Sequence, residues 1–207
     1  MMDLIAADRL ALADALSELT ADQWRGQSLC SLWTPAHVLA HLTMPFRISV
    51  PDFMAGLQQY GGDFTKFSDD IADRDSSIPR RELVAILRAN AENPWEPPGG
   101  GQTGALTHDV IHGLDMTWPQ DVEYKIPDQA MTIVLDRLTG PGGESIFGVP
   151  MNGIRLYATD LDWSAGTGAE VSGRNRDLVP MLAARRIPLE RFTGDGVAVL
   201  AQSLSER

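Results

Sequence analysis

Apolar positions recur with a helical period from the first residues of the chain. Ile5, Leu12, Leu16 and Leu19 fall on one face of a helical wheel, with Asp8, Arg9 and Asp14 placed elsewhere, so an amphipathic helix opens the sequence. Thr20 and Gln23 then have the spacing of a capping box. In "LWTPAHVLAHL", Thr34 can accept hydrogen bonds from free backbone N–H groups, and Pro35 suits the first helical position, where its missing N–H costs nothing. A second helix is predicted there. Pro45 and Pro51 each remove a backbone donor, which predicts a kink or break between His41 and Tyr60. The stretch "GGDFTKFSDDIADRDSS" reads as an exposed loop rich in acidic and small residues, followed by a third helix marked by Leu83, Ile86 and Leu87 and stopped near "ENPWEPPGGG".

The fourth helix contains "THDVIHGLDM", and a fifth runs from about Pro127 to Leu138 with Met131, Val134, Leu135 and Leu138 on its apolar side. Beyond "TGPGGE" the pattern changes. "IRLYATDLDWSAGTGAEVSG" alternates polar and apolar residues around turn-forming glycines, which predicts strands and a hairpin, and a second unit is expected to start near Ser145. Helical pieces close the chain around Leu178 to Arg186, despite Pro180, and from Val197 onward. The expected organisation is mainly α over residues 1–142, with a small α/β domain over residues 143–207. A unit of that size is small for independent folding.

Composition narrows the functions. With 28 acidic against 17 basic residues the formal charge is −11, so neither nucleic acid nor an anionic membrane surface is an expected partner. No stretch approaches the roughly 18 uninterrupted apolar residues of a membrane helix. Asp3, Asp8, Arg9 and Asp14 interrupt the apolar N-terminus, which is therefore not read as a targeting segment. The single cysteine, Cys30, excludes an internal disulfide, and a cytoplasmic location is the expectation.

All four histidines occur in pairs spaced by four residues, His37 with His41 and His108 with His112. On a helix such residues stand one turn apart on the same side, so His108 and His112 can aim two imidazoles at one point. Asp115 falls on the same face, and Leu106, Val110 and Leu114 on the opposite one. The competing reading is that of two polar residues without a metal. His41, beside Val38 and Leu42, faces inward in its helix, and an antiparallel partner would bring it opposite the other pair. Three neutral imidazoles then form a facial set for zinc, nickel or iron with open positions. His37 competes for the third place but lies at the helix start, where a capping or supporting role fits better. Cys30 is read as a small buried residue. The pairs Asp69 with Asp70 and Asp160 with Asp162 lack a calcium-loop pattern, and neither a phosphate loop nor a nucleophile elbow occurs.

"SLCSLWTPAHVLAHL" followed by "HDVIHGLDM" resembles the mycothiol-dependent maleylpyruvate isomerase family, whose helical domain belongs to the DinB and YfiT-like group. "LTADQW", "IRLYATDLDWSAGTGAEVSG" and "LERFTGDGVAVL" extend the resemblance over most of the chain. It implies a DinB-like four-helix bundle holding one divalent metal, followed by a small sterol-carrier-like α/β domain. It also implies His41 as the first ligand, His112 as the last and His108 as the middle one. That middle position is a glutamate in the isomerases and a histidine in many DinB-like proteins. A neutral ligand leaves the metal one unit more positive than a carboxylate would.

The chemistry implied is that of a small-molecule thiol, mycothiol, made nucleophilic by a zinc-like ion, so that the protein needs no nucleophile of its own. The expected function is a thiol transferase or isomerase acting on a small electrophile, with the thiol and the electrophile as partners and a homodimer left open. A noncatalytic ligand-binding protein of the same fold and a metal-dependent hydrolase are the alternatives. The hydrolase lacks a carboxylate with a clear claim to be the general base.

Overall fold

In the computed structural model, residues 1–141, 147 and 149–205 are described. The chain divides into two compact units, Met1–Ile126 and Pro127–Arg207. The expected boundary at residues 142 and 143, and the expected start near Ser145, lie outside the described residues.

The first unit is helical. Helices α1 (Met2–Ser17), α2 (Ala21–Arg25), α3 (Pro35–Arg47), α4 (Val50–Gln59), α5 (Phe64–Asp75), α6 (Arg80–Ala89) and α7 (Gly101–Thr117) follow in order. Helices α1, α3, α6 and α7 form the bundle, with α1 and α3 each packed against both α6 and α7. Leu12 and Leu16 of α1, Val38 and Leu39 of α3, Leu83 and Leu87 of α6, and Leu106 and Val110 of α7 are buried in it. Each such side chain contributes about 2 kcal/mol on leaving water. No helix of the described residues is long and apolar enough to cross a membrane.

Several local signals act as the sequence predicts. Thr20 Oγ1 accepts from Gln23 N while Gln23 Oε1 accepts from Thr20 N, closing the capping box. Pro35 opens α3, Pro45 lies in its last turns, and the chain breaks at Ile48 and Ser49 before α4 takes Pro51 into its first turn.

Two expectations are corrected. Residues 61–77 are not a loop, since Phe64–Asp75 is helix α5, started by Asp63 Oδ1 accepting from Lys66 N at 3.1 Å. Its buried face is Phe67, Ser68, Ile71, Ala72 and Asp75, and the other aspartates of the helix, Asp69, Asp70 and Asp73, occupy the outer side. Burying Phe67 and Ile71 is worth several kcal/mol, against about 0.5 kcal/mol for each aspartate's weak helix propensity.

The second correction concerns α1. Asp8 and Arg9 are fully buried rather than on a solvated face. Arg9 Nε donates there to Asp109 Oδ2 at 2.7 Å and Nη1 to the carbonyls of Asn90, Ala91 and Asn93, while Nη2 has no hydrogen-bond partner among the described residues. Neither oxygen of Asp8 has a hydrogen-bond partner among the described residues. Burial pushes the Asp8 carboxyl well above the usual range, Asp109 adds to the rise, and Arg9 opposes it. The folded protein thus holds this proton where the unfolded chain has released it. The stability it contributes is complete below about pH 4 and is lost as pH rises through the folded value. Asp8→Asn removes the ionisation, so its urea midpoint relative to wild type is expected to climb between about pH 5 and pH 8. A difference that stays flat over that interval would show Asp8 ionised in the fold.

The second unit begins with α8 (Asp128–Thr139), whose buried face is Ala130, Met131, Val134, Leu135 and Leu138. A three-stranded sheet follows, built from β1 (Ile154–Ala158), β2 (Ser164–Gly166) and β3 (Ala169–Gly173) in the order β2-β1-β3. β1 pairs antiparallel with β2, Leu156 opposite Ala165, and parallel with β3, Leu156 opposite Val171. So short a passage from one edge to the other needs glycine. At Gly168, with φ +133°, a Cβ would stand 2.1 Å from the Gly153 carbonyl oxygen. α8 packs on β2, with Asp136 Oδ1 accepting from Trp163 Nε1 at 2.8 Å. Helices α9 (Asn175–Leu182), with Pro180 inside it, and α10 (Val197–Ser205) complete the small α/β unit, α9 against α8 and α10 against β3.

Candidate metal centre

Three of the four histidines meet inside the first unit. His41 comes from the middle of α3 and is 7% exposed, while His108 and His112 stand one turn apart on α7 and are half-buried. One ligand atom from each lies within 4.8 Å of the others. The ring centroids of His41 are 5.4 Å from His108 and 4.9 Å from His112, and the two α7 rings are 4.7 Å apart. Nε2 of His41 and Nε2 of His108 are 3.3 Å apart.

Each ring is held from behind. His41 Nδ1 pairs with Ser68 Oγ of α5 at 2.9 Å, His108 Nδ1 faces Asp109 Oδ1 at 3.3 Å, and His112 Nδ1 faces Asp115 Oδ2 at 3.0 Å. A proton on Nδ1 directed at these oxygens leaves Nε2 with its lone pair, the form a metal ligand requires. Burial holds the His41 imidazole well below its usual range, His112 and His108 reinforcing that and Asp115 opposing it, so this ring is neutral at pH 7. Three imidazole nitrogens converging from two helices, each ring with a hydrogen-bonded partner behind it, fit a divalent ion of the zinc, nickel or iron type.

The surroundings are aromatic and acidic. The Trp33 ring lies 5.2 Å from His41, and the Trp95 ring 5.4 Å from His108. Gly113 follows His112 because Tyr124 closes on that turn of α7. A Cβ there would stand 2.4 Å from the Tyr124 hydroxyl, which donates to the Val110 carbonyl at 3.3 Å.

His37 is apart from the cluster. Its Nδ1 accepts from Thr34 N at 3.3 Å and lies 2.7 Å from Thr34 Oγ1, so it belongs to the cap of α3, and its Nε2 is 3.6 Å from Asp73. Cys30 differs from its expected role as a small buried apolar residue. It is half-buried, and its thiol donates to Asp115 Oδ2 at 3.1 Å. Cys30, His112 and Asp115 form a second set of ligand atoms within 4.8 Å of one another. One carboxylate oxygen thus serves both the thiol and the His112 ring.

Sequence reading misses Ser68, because α5 reads as a loop, and Asp109, because attention rests on the histidine beside it. Both carry a signal. Ser68 adjoins Phe67 on a helical period, and Asp109 is a charge inside a helix with few exposed positions. Trp95, in a proline-rich connection, carries none.

Residues 5–93 match the family model described as the mycothiol maleylpyruvate isomerase N-terminal domain. Among solved structures, the chain is similar to the crystal structure of the mycothiol-dependent maleylpyruvate isomerase and to that of a histidine-to-alanine mutant of it. In each case the TM-score is 0.59 at 13% identity, with 94% of this chain and 91% of that chain covered. At this identity the structural likeness speaks for the fold. No curated protein sequence matches the chain.

Proposed function

We propose that the chain, whose residues 5–93 match the model of the mycothiol maleylpyruvate isomerase N-terminal domain, is a metal- and mycothiol-dependent thiol transferase or isomerase acting on a small electrophile. The observation that carries this reading is the convergence of His41, His108 and His112, each ring with a hydrogen-bonded partner at Nδ1. These three residues are the ligands in this reading, and zinc is the preferred ion. A bound divalent ion supplies the positive charge that lets a thiol lose its proton near neutral pH.

The protein's own residues bind and orient. Ser68, Asp109 and Asp115 hold the three imidazoles in the tautomer that leaves Nε2 as the donor. Trp33 and Trp95 flank His41 and His108 and are the aromatic groups nearest to hand for an unsaturated or aromatic substrate. Asp115 Oδ2, bonded to both His112 Nδ1 and the Cys30 thiol, ties that ring and the thiol together. In the isomerases the resemblance puts a glutamate where this chain has His108. The centre proposed here is therefore more positive by one unit, which favours a thiol in its ionised form.

Protein purified without a histidine tag and reconstituted with zinc should hold close to one ion per chain. Incubated with mycothiol, it should turn over either a chlorinated aromatic electrophile, giving the thioether with release of chloride and a proton, or a cis-unsaturated keto acid, giving the trans isomer. Chromatography of the products separates transfer from isomerisation. Failure to retain zinc, together with no turnover of either substrate class, would overturn the reading.

A further inference from the structure

A buried arginine stands behind the histidine that occupies the glutamate's place. Arg9 of α1 has a side chain with no exposed surface, lies 5.1 Å from the Phe46 ring centroid, and donates Nε–H to Asp109 Oδ2 at 2.7 Å. The other oxygen of Asp109 faces His108 Nδ1 at 3.3 Å. A carboxylate in solvent rotates freely, but this one, 3% exposed, is oriented by the cation on one oxygen and so presents the other to the imidazole.

The same guanidinium reaches further. Its Nη1 donates to the carbonyls of Asn90, Ala91 and Asn93, satisfying acceptors left open at the end of α6 and fixing the start of the connection that follows. Asn93 Oδ1 in turn accepts from Trp95 N at 3.0 Å, and Trp95 is the ring that flanks His108. Arg9 thus governs both the hydrogen bond behind His108 and the aromatic wall beside it.

We propose that Arg9 and Asp109 are positioning residues for His108, returning a carboxylate to the metal centre one shell out from where the family's glutamate stands. The inference rests on His108 being a ligand in the proposed function. A neutral imidazole in place of a carboxylate weakens the field on the ion, and a carboxylate behind the imidazole restores part of it by making the ring more basic. The pairing also makes burial of Arg9 tolerable, since a buried guanidinium without an anion costs several kcal/mol.

Asp109→Asn alone leaves Arg9 buried without its counter-ion and risks misfolding, so the decisive variant is the double substitution Arg9→Gln with Asp109→Asn, which carries no unpaired charge. The apoproteins are compared by urea unfolding, and zinc affinity is measured by competition with a chromophoric chelator. The visible spectrum of the cobalt-substituted protein is recorded beside it. The expected result is a zinc affinity lower by about 10–100-fold in the double variant, with a shifted cobalt spectrum, even where the apoprotein is as stable as wild type. An affinity within about threefold of wild type with an unchanged spectrum would reduce the pair to a structural tie and overturn the proposal. A double variant that does not fold is replaced by Asp109→Glu, which keeps the charge and moves the oxygens, and the same two results decide it. Wild-type protein that binds neither zinc nor cobalt would defeat the proposed metal centre itself, a different failure from intact binding in the variants.

Discussion

His112→Ala is expected to release the metal and abolish thiol-dependent turnover, whereas His37→Ala is expected to keep both. The two residues share a residue type and a helical setting, and their surroundings separate them. His112 lies 4.7 Å and 4.9 Å by ring centroid from the other two histidines of the cluster, and its Nδ1 faces a fully buried carboxylate. Removing one of three nitrogen ligands should weaken zinc binding by well over the roughly 100-fold that loss of an outer partner costs. His37 belongs to the cap of α3, and its loss should cost about 1 kcal/mol of stability at most. Metal analysis after dialysis, thermal melts and the transfer assay together read the contrast. Equal metal retention by both variants would remove His112 from the centre.

Asp75→Ala is expected to be strongly destabilising, by about 3–5 kcal/mol, although it lies outside the histidine cluster. Asp75 ends α5 and is buried, with Arg47 of α3 bonded to Oδ2 and Arg74 donating to Oδ1 at 2.6 Å. Arg47 is itself mostly buried and also ties down the Ala40 carbonyl, one residue before His41. Without Asp75, Arg74 can turn to water but Arg47 cannot. Burial pushes the Asp75 carboxyl up, yet hydrogen bonds and charge from Arg74 and Arg47 outweigh it and hold the group below its usual range. The folded value being depressed, this stabilisation is present above the unfolded value near pH 4 and is lost as pH falls through the folded one. Urea unfolding should show the variant's deficit shrinking below about pH 4. A loss under about 1 kcal/mol at neutral pH would mean that Arg47 finds another anion or water.

Much of the first unit is legible without coordinates because its signals are local. The Thr20 and Gln23 capping box, the Thr34 and Pro35 start and the breaks around Pro45 and Pro51 depend only on which backbone donors a few neighbouring residues can satisfy or remove. Spacing on α7 is of the same kind. Four residues along a helix put His108 and His112 on one side whatever packs against them.

Helix α5 shows the limit. Its outer face is acidic enough to resemble a loop, and only the presence of α3 against it makes burial of Phe67, Ile71 and Asp75 outweigh that composition. Helix α1 shows it from the other side, because Arg9 breaks the apolar wheel and its partners lie 81 to 100 residues away.

The sequence by itself determined a mainly helical chain with a small α/β part, a negative surface and paired histidines at helical spacing. Those follow from periodicity, charge and caps, each set within a few residues. Tertiary structure decided which histidines meet and what stands behind them. His41 faces His108 only because α3 packs on α7, and Ser68, Asp109 and Asp115 face the rings because burial leaves each polar atom only the partner within reach. A hydrogen bond across the bundle depends on where two helices come to rest, which no local spacing specifies.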